Sequence, residues 1–414
     1  DDSSPWGYSV IGNWGQDDGV GQMSDNGDGT WSITIVPEDY FGLNTTQASS
    51  ATSMGMVFRN EDGTQELKDQ GCSDFFINVG AFQVELINPD NSGIILVDYN
   101  GSTQILAQNT NGNANYTLYA NDELVDSQSD VNFYNGFQFT NLTENQYCEL
   151  HISQADSYII KKFTILVNNT TIESIPDGLE DGINYNDDNS KATLVLSAPF
   201  KDFIYVAGDF NFWSPTSEYA MKKDSNSEKF WIEVEGLEPG EIYTYQYWVS
   251  DLSPIDESPS LVKTADPFST MVLSPFDDPW IPENSYPNLP EYPYDFGIER
   301  EVTVLKTGQQ PYNWQVDDFD KPKEEDLIIY EVLIRDFDSE RTFQNLIDRI
   351  DYFKDLNINA IELMPVMEYE GNESWGYNTA FHMSVDKFYG PEEKLKEFID
   401  LCHQNGIAVI FDLV

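Results

Sequence analysis

Three short apolar runs in the last ninety or so residues decide the fold: LIIYEV at 327–332, AIELMPV at 360–366 and IAVIFD at 407–412. Runs of roughly four to eight apolar residues indicate strands that are buried on both faces, as in parallel sheets. Between them, residues 343–356 and 391–406 carry apolar side chains at helical spacing. The order strand, helix, strand, helix, strand predicts the opening of a parallel α/β fold.

The sequence before this segment is typical of all-β structure. Short β-type runs, such as the alternating TWSITI at 30–35 and the apolar FIYVAG at 203–208, are separated by Asn, Asp and Gly turns. A Pro-rich connector at 266–294 follows, too punctuated to belong to either neighbour. The chain of 414 residues is too long for one core, and we expect four domains. They are a sandwich at 1–80, an immunoglobulin-like sandwich at 81–172, a third sandwich with the connector at 173–320, and an incomplete α/β domain at 321–414.

The loop at 25–29, DNGDG, invites two interpretations. Its acidic side chains suggest a calcium site, but no Glu closes the loop at the twelfth position, as an EF-hand requires. We therefore predict a hairpin turn there.

The charge of the chain limits its partners. With 72 acidic and 21 basic residues the net charge is -51, so nucleic acid and anionic membranes are poor partners. The 9 Trp, 23 Tyr and 25 Phe suit a neutral ligand with apolar faces, such as a carbohydrate. The alternative, that the acidity serves only solubility or a salty habitat, stays open on charge alone. No stretch is apolar enough to predict a transmembrane segment.

Three cysteines, Cys72, Cys148 and Cys402, lie in separate regions without metal-ligand spacing. This spacing argues against a structural zinc and a disulfide framework. A single bridge between Cys72 and Cys148 stays open.

Five motifs near the C-terminal end carry a family likeness. In order and spacing they resemble the first three strands of the α-amylase superfamily, glycoside hydrolase family 13. The motifs are IYE at 329–331 with RDF at 335–337, NAIELMPV at 359–366, WGYN at 375–378, FYGP at 388–391 and GIAVIFDLV at 406–414. The resemblance implies a (β/α)₈ barrel, of which this chain would hold three of the eight strands, so we expect a fragment of a longer protein.

Two earlier segments resemble modules that accompany such barrels. GDFNFW at 208–213 and ADPF at 265–268 look like the early-set sandwich of the family 48 carbohydrate-binding type. The first unit is similar to starch-binding modules on glucan-using enzymes of Bacteroidetes. These likenesses imply an α-glucan polysaccharide as the partner and an extracellular, periplasmic or outer-surface location.

The resemblance assigns roles to residues one at a time. Tyr377 matches the family tyrosine that stacks on the sugar at the cleavage point, with Trp375 and Asn378 beside it in the same motif. Asp412 matches the aspartate at the end of the third strand that helps to hold the site's arginine. The alternative for Tyr377 is a tyrosine merely packed at a strand end.

No catalytic residue is assigned in this chain. The family's nucleophile, general acid and stabilising carboxylate would follow strands four, five and seven, beyond Val414. Retaining cleavage needs two carboxyl groups about 5 Å apart, so the chain alone is expected to be inactive. The asparagine that would bind a calcium ion, the only cofactor the resemblance implies, also falls past the end. Glu362, Glu368, His382 and His403 are left without a catalytic role.

The expected function is an α-glucan hydrolase or transglycosylase acting on starch, glycogen or pullulan-type polymer. Trp14, Trp31 and Trp213 are candidates for holding polymer on the sandwiches, each with core packing as the alternative. A rival is a non-catalytic glucan-binding surface protein with a barrel remnant. A third reading, a structural adhesin, leaves the barrel motifs unexplained.

Overall fold

The computed structural model describes residues 19–413, except 28–29, 52, 61–65, 68–73, 80–81, 91, 111, 156, 256–257 and 297. The chain divides into two compact units. One is formed before Val167, and the other from Val167 onward together with Leu96–Asn100 and Leu142–Asn145. Within the described residues, no helix has the length and apolarity needed to cross a membrane.

The beginning of the first unit mixes short strands with two short helices. They are β1 Ser24–Asp25, β2 Trp31–Ser32, α1 Pro37–Tyr40, α2 Thr45–Ser50, β3 Ser53–Met56, β4 Phe58–Arg59, β5 Glu66–Leu67 and β6 Phe75–Asn78. The predicted hairpin is confirmed in its described residues, because β1 pairs with β2 and the Asn26 amide donates to the Thr30 carbonyl at 3.0 Å, while Asp28 and Gly29 lie outside the described residues.

Two expectations for this stretch were wrong. The strand predicted at 30–35 is limited to Trp31–Ser32, and helices interrupt the expected all-β pattern. The start of α2 has a local cause: the Asn44 side chain accepts from the Gln47 amide, and the Gln47 side chain accepts from the Asn44 amide. This reciprocal pair satisfies backbone donors that a helix start leaves free.

The rest of the first unit is the predicted sandwich. Its strands are β7 Val84–Asn88, β8 Ile94–Val97, β9 Gly101–Asn109, β10 Ala114–Ala120, β11 Glu123–Val131, β12 Phe133–Leu142, β13 Gln146–Gln154 and β14 Ser157–Val167. One sheet has the order β11-β10-β13-β14-β8 and the other β12-β9-β7. Alternate residues of β10 and β13, such as Leu118 and Leu150, are fully buried, as expected for strands with one face on a core.

A second sandwich opens the second unit. Its strands are β15 Gly182–Tyr185, β16 Lys191–Ser197, β17 Phe203–Gly208, β18 Lys222–Lys223, β19 Lys229–Glu235, β20 Tyr243–Ser250, β21 Leu261–Thr264, β22 Val272–Leu273 and β23 Val302–Leu305. The sheets have the orders β15-β16-β19-β18 and β17-β20-β23-β22, with β21 also on β20. The described core includes Leu194, Ile204, Phe230 and Tyr245.

The Pro-rich connector differs from the prediction. It is not separate from its neighbours, because Val272–Leu273 pairs with β23 in the sandwich sheet. The carboxylate of Asp266, its first residue, is buried and accepts from the hydroxyls of Tyr245 and Tyr247 at 3.0 and 2.9 Å. Pairing and buried polar contacts therefore fix a segment whose prolines indicated only an irregular path.

The C-terminal segment has the predicted parallel topology. Its elements are β24 Ile329–Val332, α3 Ile334–Phe337, α4 Phe343–Asp348, α5 Ile350–Asp355, β25 Ala360–Leu363, β26 Met367–Tyr369, β27 Thr379–Val385, α6 Glu392–Gln404 and β28 Ala408–Phe411. Strands β24, β25 and β28 are parallel and adjacent in that order. The helix predicted at 343–356 is broken at Arg349, whose φ of -100° and ψ of 13° separate α4 from α5. The four-domain boundaries stay a prediction.

Candidate functional site

The candidate site lies at the carboxyl ends of the three parallel strands. The pairing continues past them, because the Met364 amide donates to the Val332 carbonyl at 3.0 Å and the Asp412 amide to the Leu363 carbonyl at 2.9 Å. Asp412 is thereby fixed at the end of β28 by backbone bonds from the neighbouring strand. In parallel α/β folds this end of the sheet is where sites are built.

The two faces of this small sheet have different chemistry. One face packs on the helices through Val332, Ile361, Leu363 and partly buried Phe411. Because side chains alternate along a strand, the opposite face carries Glu331, Glu362 and Asp412. Glu331 and Glu362 are directly paired in register. The sheet therefore presents carboxylates, good acceptors for hydroxyl donors, on the face away from the helices.

An antiparallel hairpin supplies the aromatic part of the site. Strands β26 and β27 flank a loop that carries Trp375, Tyr377 and Asn378. The Tyr377 hydroxyl donates to Asp412 Oδ2 at 2.6 Å. That hydrogen bond, with desolvation and the charges of Asp412, Glu331 and Glu362, raises the pKa of Tyr377. Two of the residues that the resemblance selected are thus brought into direct contact.

Local geometry explains the sequence of this loop. Gly376 has a φ of 90°, and a Cβ there would lie 2.5 Å from the Pro365 carbonyl oxygen, so only glycine fits. The Gly376 amide donates to Ser374 Oγ at 2.9 Å, and the Asn378 side chain donates to the Glu370 carbonyl at 3.3 Å. The loop is consequently held in shape by its own polar groups, and Asn378 acts within it.

The arrangement can bind a neutral polyhydroxylated ligand. Trp375 and Tyr377 are 61% and 46% exposed, so neither ring is packed away at a strand end. Exposed rings can cover the C–H faces of a sugar, while the adjacent carboxylates accept its hydroxyl protons. An anionic ligand would be repelled by the same carboxylates.

The three tryptophans proposed for polymer binding fall in different places. Trp31 is 59% exposed on β2 and stays a candidate. Trp14 lies outside the described residues. Trp213 is corrected: it is only 7% exposed, its indole N–H donates to Asp209 Oδ1 at 2.9 Å, and its ring packs with Leu273 and Val302. A ring enclosed in this way offers no face to a sugar.

The histidines and cysteines considered in the sequence form no metal site among the described residues. His403 stacks on Phe319 with ring centroids 4.1 Å apart, and His382 is exposed on β27. Cys148 and Cys402 are buried free thiols, and Cys72 lies outside the described residues. Among the described side chains, no three His, Cys, Asp or Glu residues converge as ligands for a metal ion. Calcium stays an expectation from resemblance.

A buried ionic cluster near the hairpin was not predicted. The Lys387 ammonium is 2% exposed and pairs with Glu368 and with Asp278 Oδ1, the latter at 3.2 Å. Asp386 is buried beside it. Burial raises the pKa values of Glu368, Asp386 and Asp278. The sequence offered little indication of this burial, because isolated charged residues are typical of an exposed surface.

The C-terminal segment is similar to known proteins. Residues 335–414 match the family described as "Alpha amylase, catalytic domain". Over 103 residues the chain is 37% identical to malto-oligosyltrehalose trehalohydrolase of Saccharolobus solfataricus, covering 25% of this chain and 18% of that protein. Over 226 residues it is 28% identical to the 1,4-alpha-glucan branching enzyme GlgB of Chlamydia muridarum, covering 53% and 27%. The recognition of an α-amylase-type segment is confirmed.

Solved structures show a weaker likeness. The Group B Streptococcus pullulanase SAP in complex with maltotetraose has a TM-score of 0.42 and 16% identity, covering 80% of this chain and 45% of that one. The catalytic module of the pneumococcal glycogen-degrading factor SpuA has a TM-score of 0.43 and 21% identity, covering 57% and 37%. The chain spans between 15% and 34% of the length of the curated relatives named in these comparisons.

Proposed function

We propose that this chain is part of an α-glucan hydrolase or transglycosylase, in which β-sandwiches precede an α-amylase-type barrel. The observation that carries the proposal is the contact of Tyr377 with Asp412 at the carboxyl end of the third parallel strand. Within this site, Tyr377 and Trp375 would cover the sugar faces. Asp412 fixes the orientation of the Tyr377 ring by accepting a hydrogen bond from the Tyr377 hydroxyl.

The curated relatives support this assignment. By their names, one relative is a hydrolase of malto-oligosyltrehalose and the other is a branching enzyme of 1,4-alpha-glucan; they are similar to this chain over 103 and 226 residues. The carboxylates for bond cleavage would come from later strands of the barrel, and a retaining mechanism follows from the family resemblance alone. No residue described here is given that role.

The finer parts of the proposal concern polymer capture. Exposed Trp31 would hold polymer near the barrel and raise its local concentration by weak multivalent binding. The starch-binding likeness of the first unit, the calcium ion and a location outside the cytoplasm stay predictions from resemblance. With a net charge of -51, the protein is expected to avoid nucleic acid.

Two measurements test the proposal. Binding of maltooligosaccharides is measured on this chain and on the protein as its source produces it, and activity is measured on the source protein. Tyr377→Ala should weaken maltooligosaccharide binding by about tenfold or more, measured by titration calorimetry, because the stacking ring is removed. Tyr377→Phe keeps the ring and loses only the hydrogen bond to Asp412, so it should reduce the affinity for maltooligosaccharide less than Tyr377→Ala does. Tyr99→Ala is the control, since Tyr99 is 55% exposed in a turn between sandwich strands.

Release or transfer of glucose units from starch by the source protein is the second measurement. If maltooligosaccharides bind but no glucan is cleaved or transferred, the enzyme proposal fails and a glucan-binding protein is the answer. If Tyr377→Ala binds as tightly as the unchanged protein, the site is misplaced.

A further inference from the structure

The Lys387 cluster joins three segments that are far apart in sequence. Glu368 lies on β26 and Lys387 lies two residues after β27, so their ion pair closes the base of the hairpin that carries Tyr377. The Lys387 amide also donates to Glu368 Oε2 at 3.2 Å. Asp278 lies in the connector, five residues after β22, the connector strand that pairs in the sandwich sheet. One ammonium therefore contacts both the hairpin and the connector.

Other contacts follow the same path. The Asn372 side chain, in the hairpin loop, donates to the Asp277 carbonyl of the connector at 2.9 Å. Asp386 accepts from the Phe388 amide at 2.9 Å, and its own amide donates to the Val366 carbonyl at 2.9 Å. These bonds hold the chain on each side of Lys387. The ammonium is consequently in a fixed position between its two carboxylates.

Burial makes the cluster sensitive to the loss of any member. Lys387 is 2% exposed, and the side chains of Glu368 and Asp278 are each 7% exposed. Removing one partner of a buried pair leaves an uncompensated charge, which the surroundings must relieve by moving or by admitting water. The carboxylates of the cluster belong to the hairpin and to the connector, and the hairpin carries the ring at the candidate site.

We propose that Lys387 is a positioning residue, which holds Tyr377 over Asp412 by pairing at once with Glu368 at the hairpin base and with Asp278 of the connector. Through this pair of contacts, the sandwich-linked connector and the hairpin move as one piece. The inference rests on the proposed function only for the identity of the sugar ligand. The mechanical link between connector and hairpin is independent of it.

Hydrogen exchange of the backbone amides, measured on the protein as its source produces it, tests the link. Lys387→Met keeps the length of the side chain without its charge, and should speed exchange by about tenfold or more both in loop 370–378 and in connector 275–286. Asp278→Asn is the milder variant, which leaves the Lys387–Glu368 pair and should still loosen both segments. Lys354→Met is the control, because the Lys354–Asp351 pair is exposed on α5.

Maltooligosaccharide affinity separates positioning from simple stabilisation. A positioning role requires that folded Asp278→Asn lose affinity by about threefold or more, and that the double variant lose little beyond Lys387→Met, since both act through one contact. If melting temperatures fall while exchange in loop 370–378 and affinity are unchanged, the inference is overturned. If the unchanged protein binds no maltooligosaccharide but exchange responds as stated, the proposed function fails and the link stands.

Discussion

Single residues in this protein owe their properties to what covers them. His403 lies flat against Phe319, with 9° between the ring planes, and Asp400 is nearby. Desolvation lowers the pKa of His403, and the charge of Asp400 only partly opposes the shift. The neutral imidazole is therefore the form that the fold favours.

This geometry gives a prediction for pH dependence. The His403 ring should titrate below its usual value of about 6.5 in an NMR pH series. Because the pKa of His403 is lower in the folded than in the unfolded protein, neutral His403 stabilises the fold at a pH above the unfolded-state pKa. This contribution to the free energy of unfolding is lost as the pH falls through the folded-state pKa. Phe319→Ala should return the pKa toward 6.5, and Phe200→Ala, at an 89% exposed ring in the sandwich, should not. A pKa at or above 6.5 in the unchanged protein would contradict the conclusion that desolvation outweighs the charge of Asp400 at this ring.

At the scale of elements, the hairpin between β26 and β27 is the part on which the candidate site depends. Its loop has little regular secondary structure. The positive φ of Gly376, hydrogen bonds within the loop and the Lys387–Glu368 ion pair at the base of the hairpin determine the shape of the loop. Two glycines of this loop, Gly371 and Gly376, have positive φ values of 82° and 90°. They form a matched pair, because only Gly376 is crowded.

Gly376→Ala should lower the free energy of unfolding by about 1–3 kcal/mol and also weaken sugar binding, because the new Cβ meets the Pro365 carbonyl oxygen. Gly371→Ala has the same backbone strain but nothing within 4 Å of its Cβ. Gly371→Ala should therefore lower the free energy of unfolding by about 1 kcal/mol and leave sugar binding unchanged. Urea unfolding and titration calorimetry measure the two effects. Equal losses of sugar binding in both variants would mean that the contact with Pro365 does not shape the loop.

At the scale of the whole molecule, the dominant feature is charge. With 72 acidic against 21 basic residues, self-repulsion outweighs the attraction of the exposed ion pairs. Salt shortens the range of that repulsion, from a Debye length of about 30 Å at 0.01 M to about 10 Å at 0.1 M.

The Tm should therefore rise when sodium chloride increases from about 0.01 M to about 0.15 M, measured by differential scanning calorimetry. Sucrose at matched osmolality controls for solute exclusion, which stabilises without screening charge. A Tm that is flat or falls with salt would show that attractive ion pairs dominate.

The sequence determined what depends on neighbours along the chain. Apolar runs and their spacing predicted β24, β25 and β28 and the parallel order, because strands of this kind need both faces covered wherever they lie. The motifs WGYN and GIAVIFDLV selected Tyr377 and Asp412 through resemblance to a family, but the hydrogen bond between the two residues was not predicted. The turn at 25–29 likewise followed from local chemistry.

Only the tertiary structure decided which side chains are covered. Trp213 and Trp31 are both tryptophans of predicted sandwiches and were both candidates for polymer binding, yet one is enclosed by Leu273 and Val302 and the other is exposed. The partners of Lys387 come from positions 278 and 368, so no local pattern marks it as buried. Burial of a polar group depends on contacts between distant segments, and these exist only once the chain has packed.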